Sequence, residues 1–198
     1  LAFVYSKEKG ILRVDSTNQK VATVAKTDDD WGAIADLYAF AGNVYILDSI
    51  KKETPNYGQI WKYLPASDGY SDKREYLTSA TKVDFAGAKR MQIESSVYVL
   101  KNGGEIYRFT RGEKDNFGLE GLDKPVNNPK SFFVSSETDN LYILDSGNSR
   151  LLVLTKTGSY KGQYNGEKFS SATDLVVDEI GKKIYLLDGS KILQVDLR

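Results

Sequence analysis

The sequence contains no cysteine and no histidine, and these two absences exclude many catalytic and metal-binding arrangements. Without cysteine the chain can form no disulfide framework, no thiolate nucleophile and no cysteine-ligated zinc site. Without histidine it lacks the commonest general base and the commonest transition-metal ligand, so serine–histidine triads and two-histidine zinc motifs cannot form within it. We therefore expect no cofactor, no metal site and no catalytic residue.

An excess of one charge and long apolar runs are also missing. The 27 basic and 27 acidic residues give a formal net charge of zero, so the overall charge does not attract the chain to nucleic-acid phosphates or anionic lipids. There is no secretory signal and no apolar run of about 18 residues, and we expect no membrane contact by this segment. Because the sequence opens on a strand-like LAFVY rather than on methionine, we interpret it as part of a longer protein and assign no compartment.

A repeated apolar motif is present instead. Asn43–Ser49 (NVYILDS) has three close counterparts later in the chain, and Leu1–Lys7 (LAFVYSK) is a fifth, more divergent copy. The aligned aromatic residues are spaced by 42, 53, 44 and 43 residues, at Phe3, Tyr45, Tyr98, Tyr142 and Tyr185. A period of this length, with several short strands in each repeat, is typical of β-propeller blades. A β-sandwich is the alternative, but it does not require aromatic–aliphatic strands at a fixed phase.

Each aromatic strand is followed by a second apolar strand, and further strands complete four-stranded antiparallel blades. The predicted inner strands begin at Ile34, Arg90, Ser131 and Asp174. The predicted outer strands span 20–25, 73–78, 117–121 and 160–164. The fold class is therefore all-β: a single β-propeller domain with about five visible blades, which fits a fragment of a six-bladed ring. The approximate blade limits are 1–27, 33–79, 83–122, 129–166 and 171–198.

The two ends of the chain have complementary strand counts. The first repeat has no inner strand and the last has no outer one, so we expect the N-terminal segment to pair with Lys191–Leu197 or to close against that blade. If it does not, an apolar blade face of several hundred Å² should be exposed and the chain should self-associate. Helices are not expected, apart from one possible turn around Asp30–Ala33.

One stretch resembles a known repeat family. Asp145–Tyr164 (DSGNSRLLVLTKTGSYKGQY) resembles an NHL repeat, in which an Asp-rich turn and an Asn-x-Arg element precede an aliphatic strand and a glycine turn. Nearly the whole chain is similar to NHL-like six-bladed propellers, including the TolB and SMP-30 types, and to propeller regions attached to phosphatase-like signalling domains in some bacteria. The resemblance implies that Asn148 and Arg150 are structural, with the arginine tying one blade to the next through backbone carbonyls. The second blade departs from the motif, because an insertion replaces its Asn-x-Arg.

Three aspartates occupy equivalent positions after the aromatic strands: Asp48, Asp145 and Asp188. A ring of carboxylates there could bind a cation or a basic ligand. Aspartate also starts tight turns by bonding its own backbone, and Lys101 and Ser6 interrupt the ring. We favour the turn role and keep the three as binding candidates. The acidic run 28–30 lacks the ligand spacing of a calcium loop and is expected to be a solvated connection.

Several aromatic residues are candidates for a binding surface. Tyr57 and Tyr70 lie in polar loops, where exposed aromatic side chains often anchor interfaces, and Trp31 is a third candidate. Trp61 and Tyr63 share one face of a strand, which favours a place in the core. The second repeat is the longest, so we predict that its loops form the edge that contacts a partner.

The predicted function is a non-catalytic binding or scaffold module that recognises a protein or small ligand at one propeller face. Such a module would belong to a larger signalling or surface protein. A metal-dependent, lactonase-like hydrolase is one alternative, and it would need inward carboxylates such as Asp36, Glu94 and Asp174. An RNA-binding NHL domain is another, but its basic rim is represented only by Lys89 and Arg90, and nucleic acid is not expected as a partner.

Overall fold

The computed structural model describes residues 1–67 and 69–197, and these residues are mostly in β-strands. One short helix, α1, spans Lys168–Ser171, and a 3₁₀ turn spans Ser146–Asn148. The strands of the described residues, in chain order, are β1 (Ala2–Ser6), β2 (Gly10–Asp15), β3 (Lys20–Ala25), β4 (Ile34–Phe40), β5 (Asn43–Asp48), β6 (Gln59–Tyr63), β7 (Pro65–Ala66), β8 (Gly69–Tyr70), β9 (Arg74–Glu75), β10 (Ala88–Ile93), β11 (Val97–Lys101), β12 (Ile106–Thr110), β13 (Glu113–Lys114), β14 (Pro129–Phe133), β15 (Asn140–Asp145), β16 (Arg150–Thr155), β17 (Tyr160–Asn165), β18 (Asp174–Asp178), β19 (Lys183–Asp188) and β20 (Lys191–Asp196).

Five antiparallel sheets follow one another along the chain as the blades of a β-propeller, which confirms the predicted fold class. Blades 2, 3 and 4 have four strands, in the orders β4-β5-β6-β9, β10-β11-β12-β13 and β14-β15-β16-β17. Blades 1 and 5 have three strands, in the orders β1-β2-β3 and β18-β19-β20. The short strands β7 and β8 form a separate pair within the long second repeat. By chain contacts the protein divides into two compact units, residues 1–91 with 111–113 and residues 92–110 with 114–198.

In the second unit, the core shows why the aromatic strands are apolar at every position. On one face of blade 4, Leu141 and Ile143 pack in a cluster with blade 3 residues. On the other face, Tyr142 and Leu144 pack in a cluster with blade 5 residues. Because alternate residues of a strand point to opposite faces, a blade covered on both sides needs apolar residues throughout. Each such burial contributes roughly 1.5–3 kcal/mol relative to exposure.

In the first unit, the core joins blades 1 and 2. Ile11 of β2 is fully buried beside Val44 and Ile46 of β5. Trp61 and Tyr63 of β6 belong to the same cluster, so the structure places this strand face in the core.

The outer strand of blade 3 differs from its predicted position. It is β13, immediately after β12, rather than residues 117–121. Arg111 and Gly112 both have positive φ, 54° and 84°, which suits a two-residue hairpin turn that reverses the chain at once. Residues of the predicted segment instead pack on the core of the second unit through Phe117 and Leu119.

Two smaller expectations also change. The outer strand of blade 2 is the two-residue β9 rather than the whole of 73–78. Around Asp30–Ala33, where a helical turn was considered, the chain forms one hydrogen-bonded turn, from the Trp31 N–H to the Asp28 carbonyl (3.1 Å), and no helix; the short helix lies at α1 instead.

Candidate functional site

Asp145, one of the predicted binding aspartates, is fully buried at the end of β15. Its carboxylate accepts hydrogen bonds from the Asn127 backbone N–H (2.8 Å), Asn148 Nδ2 (2.8 Å) and Arg150 Nε (2.7 Å). Gly147 makes this contact possible, because a Cβ there would lie 2.5 Å from the backbone oxygen of Asn127. The carboxylate is therefore engaged by donors of its own chain.

Arg150 extends the same network to the connection between blades 3 and 4. Its guanidinium, only 2 % exposed, donates to Asp123 (2.5 Å), to Gln163 Oε1 (2.9 Å) and to the Lys124 carbonyl (2.7 Å). Burial alone would lower the pKa of Arg150, but the hydrogen bonds with Asp145 and Asp123 outweigh it and raise that pKa. The Asp145–Arg150 pair therefore fixes the loop that leads into blade 4.

Asp48 holds the corresponding position in blade 2 and is also fully buried. It accepts hydrogen bonds from the backbone N–H groups of Gly32 (3.1 Å) and Ala33 (2.8 Å) and from the indole Nε1 of Trp61 (3.1 Å). Asp188, at the end of β19, is instead partly exposed and lies opposite Lys191 in the strand register.

The predicted aromatic candidates lie in different environments. Trp31 is 9 % exposed and packs with Tyr5, and Tyr70 packs edge-on against Phe3 at 6.4 Å between ring centroids. Tyr57 is 40 % exposed, with Lys82 Nζ 5.9 Å from its ring centroid. Of the three, Tyr57 is thus the one with an open side chain.

The acidic run 28–30 binds a lysine of the same unit. Asp28 and Asp30 both accept hydrogen bonds from Lys73 Nζ, the first at 2.6 Å. The lysine also lies 5.1 Å from the centroid of the Trp61 ring. The cluster therefore connects the segment before β4 to the outer part of blade 2.

The carboxylates considered for a hydrolase also have partners within the chain. Asp36 accepts a hydrogen bond from the Met91 backbone N–H (2.8 Å), and Asp174 accepts one from Ser131 Oγ (2.6 Å). Glu94 accepts one from the Tyr98 hydroxyl (3.2 Å), and burial together with this carboxylate raises the pKa of Tyr98 to about 12. No group of three or more potential metal-ligating acids occurs in residues 1–67 and 69–197.

A groove in the second unit brings together polar side chains of blades 4 and 5. Its volume is about 590 Å³. We call it the Tyr164 groove, and the residues that define it are Tyr142, Lys161, Gln163, Tyr164, Glu179 and Lys182. Tyrosines combine apolar area with a polar tip, and lysines offer mobile positive charges, so this lining suits a polar ligand with negative groups.

Glu179 organises the floor of the Tyr164 groove from the turn between β18 and β19. It accepts hydrogen bonds from the Tyr142 hydroxyl (2.6 Å), the Asp139 backbone N–H (2.6 Å) and Asn140 Nδ2 (2.8 Å). Burial would raise the pKa of Glu179, but these hydrogen bonds outweigh it and hold that pKa below its ordinary value. Burial, together with the hydrogen bond to Glu179, raises the pKa of Tyr142.

The two lysines of the groove have exposed side chains. Lys161 Nζ donates to Asn140 Oδ1 (2.7 Å), and Lys182 sits in the turn after Glu179 with a φ of 53°. The groove lining thus contains two lysines and one carboxylate, and that carboxylate already accepts several hydrogen bonds.

Sequence reasoning did not find this groove. Tyr142 was recognisable as a repeated aromatic residue, but its repetition indicated core packing. Glu179 lies 37 residues away, and nothing in its local sequence shows that it contacts the preceding blade.

Comparisons with known proteins support the fold. No protein-family model matches the chain, and no curated protein sequence matches it. Among solved structures, it is similar to PorZ, a surface component of the type-IX secretion system of Porphyromonas gingivalis, with 12% identity and a TM-score of 0.62 over 99% of this chain and 23% of that one. A structure of a nidogen–laminin complex gives 15% identity and a TM-score of 0.63, and the match covers 94% of this chain and 67% of that one. A gluconolactonase from Xanthomonas campestris is 12% identical with a TM-score of 0.63, and the match covers 97% of this chain and 66% of that one.

The chain thus spans from under a quarter to about two thirds of these structures. At such identities the likeness shows a shared β-propeller fold. In the part of the chain that is described, no helix has the length and apolarity needed to cross a membrane.

Proposed function

We propose that this protein is a non-catalytic binding or scaffold propeller of the NHL-like kind, acting as a module of a larger signalling or surface protein. Its partner is a protein that carries an acidic, extended segment, and the Tyr164 groove is where that segment binds.

One observation carries the proposal: the groove combines a carboxylate whose oxygens already accept several internal hydrogen bonds with two lysines whose side chains are exposed, one of which also bonds Asn140. Glu179 accepts hydrogen bonds from Tyr142 and Asn140, so its oxygens are already occupied by internal donors. The ammonium groups of Lys161 and Lys182 lie at the exposed side. Carboxylates of a partner would form charge-assisted hydrogen bonds with these lysines, and Tyr164 would supply contact area with little loss of side-chain freedom.

The buried aspartates support a binding role over a chemical one. Asp48 and Asp145 accept hydrogen bonds from backbone and side-chain donors of their own blades or loops. Asp48 fixes the segment before β4 and Asp145 the segment before β14, and a binding module needs its loops fixed in this way.

Fluorescence anisotropy with a labelled oligoglutamate peptide tests the groove directly. We expect saturable binding that weakens as salt is added, because the attraction is between exposed charges. Changing both Lys161 and Lys182 to methionine should weaken binding by up to roughly tenfold, since each exposed ion pair contributes about 0.2–1 kcal/mol. The matched control is Lys124→Met, which removes an exposed lysine of the same unit outside the groove.

Two results would contradict the proposal. Equal loss of binding in the Lys124→Met control would show a non-specific charge effect. Unchanged binding in the double variant would place the peptide elsewhere.

A second candidate is a metal-dependent hydrolase, because one structural neighbour is a gluconolactonase. The carboxylates it would use are Asp36, Glu94 and Asp174, and each accepts a hydrogen bond within the chain. Metal analysis of dialysed protein separates the two functions. One tightly held divalent ion per chain would favour the hydrolase.

A further inference from the structure

Blades 2 and 4 each place a tyrosine on the outer side of the same position of their third strand. In blade 4, β17 runs alongside β16, and the register places Tyr164 opposite Leu151. In blade 2, the backbone N–H of Tyr76, the residue after β9, bonds the carbonyl of Ile60 (2.8 Å). Leu151 and Ile60 are equivalent, because each lies two residues before the residue that pairs with the repeated tyrosine of its blade. An outer tyrosine therefore covers this position in both blades.

Blade 3 leaves the equivalent position, Ile106, without an outer strand. Its outer strand β13 has two residues, and the next residue, Asp115, donates its backbone N–H to the Arg108 carbonyl (2.9 Å). The chain then leaves this edge, and the Glu120 N–H bonds the Gly158 carbonyl (3.0 Å) in the turn between β16 and β17. Because every second residue of a strand directs its N–H and C=O groups to the same side, those of Ile106 face the side on which Asp115 lies. Within the described part of the chain, no strand or isolated bridge pairs with Ile106 on that side.

A groove of about 350 Å³ runs along this open edge. We call it the blade 3 edge groove, and the residues that define it are Gly103, Ile106, Tyr107, Lys114, Phe117 and Leu122. At about 3.3 Å per residue, the open stretch 104–107 is long enough for about three residues of an added strand. The backbone groups of an open strand edge are a template for pairing with another chain. The groove therefore has the form of a site for an extended peptide.

The blade face around Ile106 suits an aromatic side chain. A residue that pairs with Ile106 points to the same face of the blade as Ile106 itself. On that face Phe117, Leu119 and Leu122 are partly buried and pack on the core of the second unit. Since blades 2 and 4 both use tyrosine at this place, we expect tyrosine at this position of an added strand.

The neighbouring position suits an acidic side chain. In blade 2, Glu75 lies opposite Trp61 and accepts a hydrogen bond from Lys51 Nζ (2.7 Å), which is 5.3 Å from the Trp61 ring centroid. In blade 3, Tyr107 holds the place of Trp61, and Lys114 Nζ lies 3.6 Å from the centroid of its ring. The exposed Lys114 is thus near the face to which a residue opposite Tyr107 would point.

We propose that the blade 3 edge groove binds an extended segment of a partner protein by strand addition, and that this segment carries glutamate followed by tyrosine. The tyrosine pairs with Ile106 through the backbone, and the glutamate meets Lys114. The acid already present, Glu105, lies 3.9 Å from Lys101 Nζ. This site is separate from the Tyr164 groove, and the proposal does not depend on that groove.

The probe is a fluorescently labelled, end-capped peptide TTEYLT. It keeps the sequence of residues 75–78 from the outer part of blade 2 and replaces the two basic residues before them by threonine. Fluorescence anisotropy should show saturable binding, and replacing the tyrosine of the peptide by alanine should weaken binding by roughly tenfold. Hydrogen exchange of the Ile106 amide should slow when the peptide is bound, because strand addition gives this N–H an acceptor.

A charge exchange tests the contact with Lys114. Lys114→Glu should weaken binding of TTEYLT by roughly fivefold, as expected for an exposed ion pair. The peptide TTKYLT should bind the wild type weakly and bind Lys114→Glu better. Such a rescue requires the two side chains to meet, and a general structural effect of the substitution would not produce it.

A steric test uses Gly103→Trp. No atom lies within 4 Å of a Cβ built at Gly103, and the φ of this residue is not in the left-handed region, so the side chain should fill the groove without strain. Peptide binding should be lost. The matched control is Gly166→Trp, at an exposed position after β17 outside both grooves, where a Cβ makes only ordinary contact with Phe169 at 3.9 Å. Circular dichroism and the melting temperature establish that all variants are folded.

Three outcomes overturn the proposal. One is the absence of saturable binding of TTEYLT up to millimolar concentration. Another is binding that survives both Gly103→Trp and Lys114→Glu. The third is binding that survives Gly103→Trp and is lost when Lys161 and Lys182 are both changed to methionine, because the peptide would then occupy the Tyr164 groove.

Discussion

Blades 2 and 4 use a buried aspartate at the same position, but they surround it with different donors. In blade 4 the strongest partner of Asp145 is the guanidinium of Arg150, which also reaches Asp123 and the Lys124 carbonyl. In blade 2 the side-chain donor to Asp48 is the indole N–H of Trp61, and the remaining donors are backbone amides. Both blades thus bury a carboxylate at the same position of the repeat, but different donors form its hydrogen bonds.

The difference in donors changes where the positive charge lies. Arg150 is 2 % exposed, so its charge is inside the blade and forms a geometrically fixed network. In blade 2 the cations near the Trp61 ring are Lys51 and Lys73, and Lys73, whose side chain is 22 % exposed, also contacts the acidic run. We call the hydrogen-bond network around Asp145 the blade 4 clamp and the one around Asp48 the blade 2 clamp. Loss of a single group should lower the free energy of unfolding more in the blade 4 clamp, because the blade 2 clamp consists of several weaker contacts.

The largest effect should follow from Arg150→Met, which keeps the length of the side chain and removes its charge. Asp145 would then remain buried without its main partner, and breaking a buried pair in this way costs about 3–5 kcal/mol of unfolding free energy. Urea unfolding followed by far-UV circular dichroism measures the change. The double variant Asp145→Asn with Arg150→Met should cost less than the sum of the single ones, because the two groups are in contact. A loss below about 1 kcal/mol would make the buried pair unimportant.

A smaller effect is expected for Trp61→Phe in blade 2. The change keeps most of the apolar volume and removes the N–H that bonds Asp48, which should cost about 1.5–3 kcal/mol because the acceptor is charged. The remaining tryptophan, Trp31, lies in the same unit, and its fluorescence reports the unfolding transition of that unit. In an Asp48→Asn background the substitution should cost less, since the interaction is then already weakened. Equal costs in both backgrounds would show that lost packing, not the hydrogen bond, is responsible.

The two clamps also differ in how far the sequence predicts them. The order of strands follows from the repeated aromatic–aliphatic motif, since only strands buried on both faces need apolar residues at every position. The resemblance of Asp145–Tyr164 to an NHL repeat implied a structural role for Arg150, and its guanidinium bonds Asp145, Asp123 and the Lys124 carbonyl. Blade 2 carries no such element. Trp61 was placed in the core by its strand phase, and its bond to Asp48 depends on tertiary packing.

Features that depend on unusual backbone or distant contacts were missed. The outer strand of blade 3 was misplaced because Arg111, a non-glycine residue with positive φ, opens its turn, and such residues are uncommon there. The Tyr164 groove depends on Glu179 reaching Tyr142 of another blade. Local sequence patterns indicate neither a positive φ at a non-glycine residue nor a hydrogen bond between residues far apart in the chain.

A still smaller effect should follow from Lys73→Met, which sharpens the contrast between exposed and buried charges. The lysine bonds Asp28 and Asp30 near the surface, where an ion pair contributes about 0–1 kcal/mol. This contribution should shrink in high salt, because mobile ions screen exposed charges. The cost of Arg150→Met should change much less with salt. Comparing unfolding free energies of both variants at low and high salt measures the difference, and equal salt dependence would refute the distinction.

The smallest expected effect is the contribution of Asp28 to the pH dependence of stability. Burial alone would raise the pKa of Asp28, but its hydrogen bonds with Lys73 and the Asp30 backbone outweigh it and lower that pKa below the ordinary 3.8. The ionised form is therefore favoured by folding, so its contribution is complete above pH 3.8 and is lost as the pH falls from there through the lowered pKa. Asp28→Asn should remove this contribution near neutral pH, where the wild type is the more stable, and with it this part of the acid-induced loss, so the stabilities of the two proteins should converge at low pH. In a Lys73→Met background the same substitution should alter the acid profile less, because the main partner is gone. An unaltered profile in the wild-type background would mean that the surface cluster of blade 2 does not contribute to its acid stability.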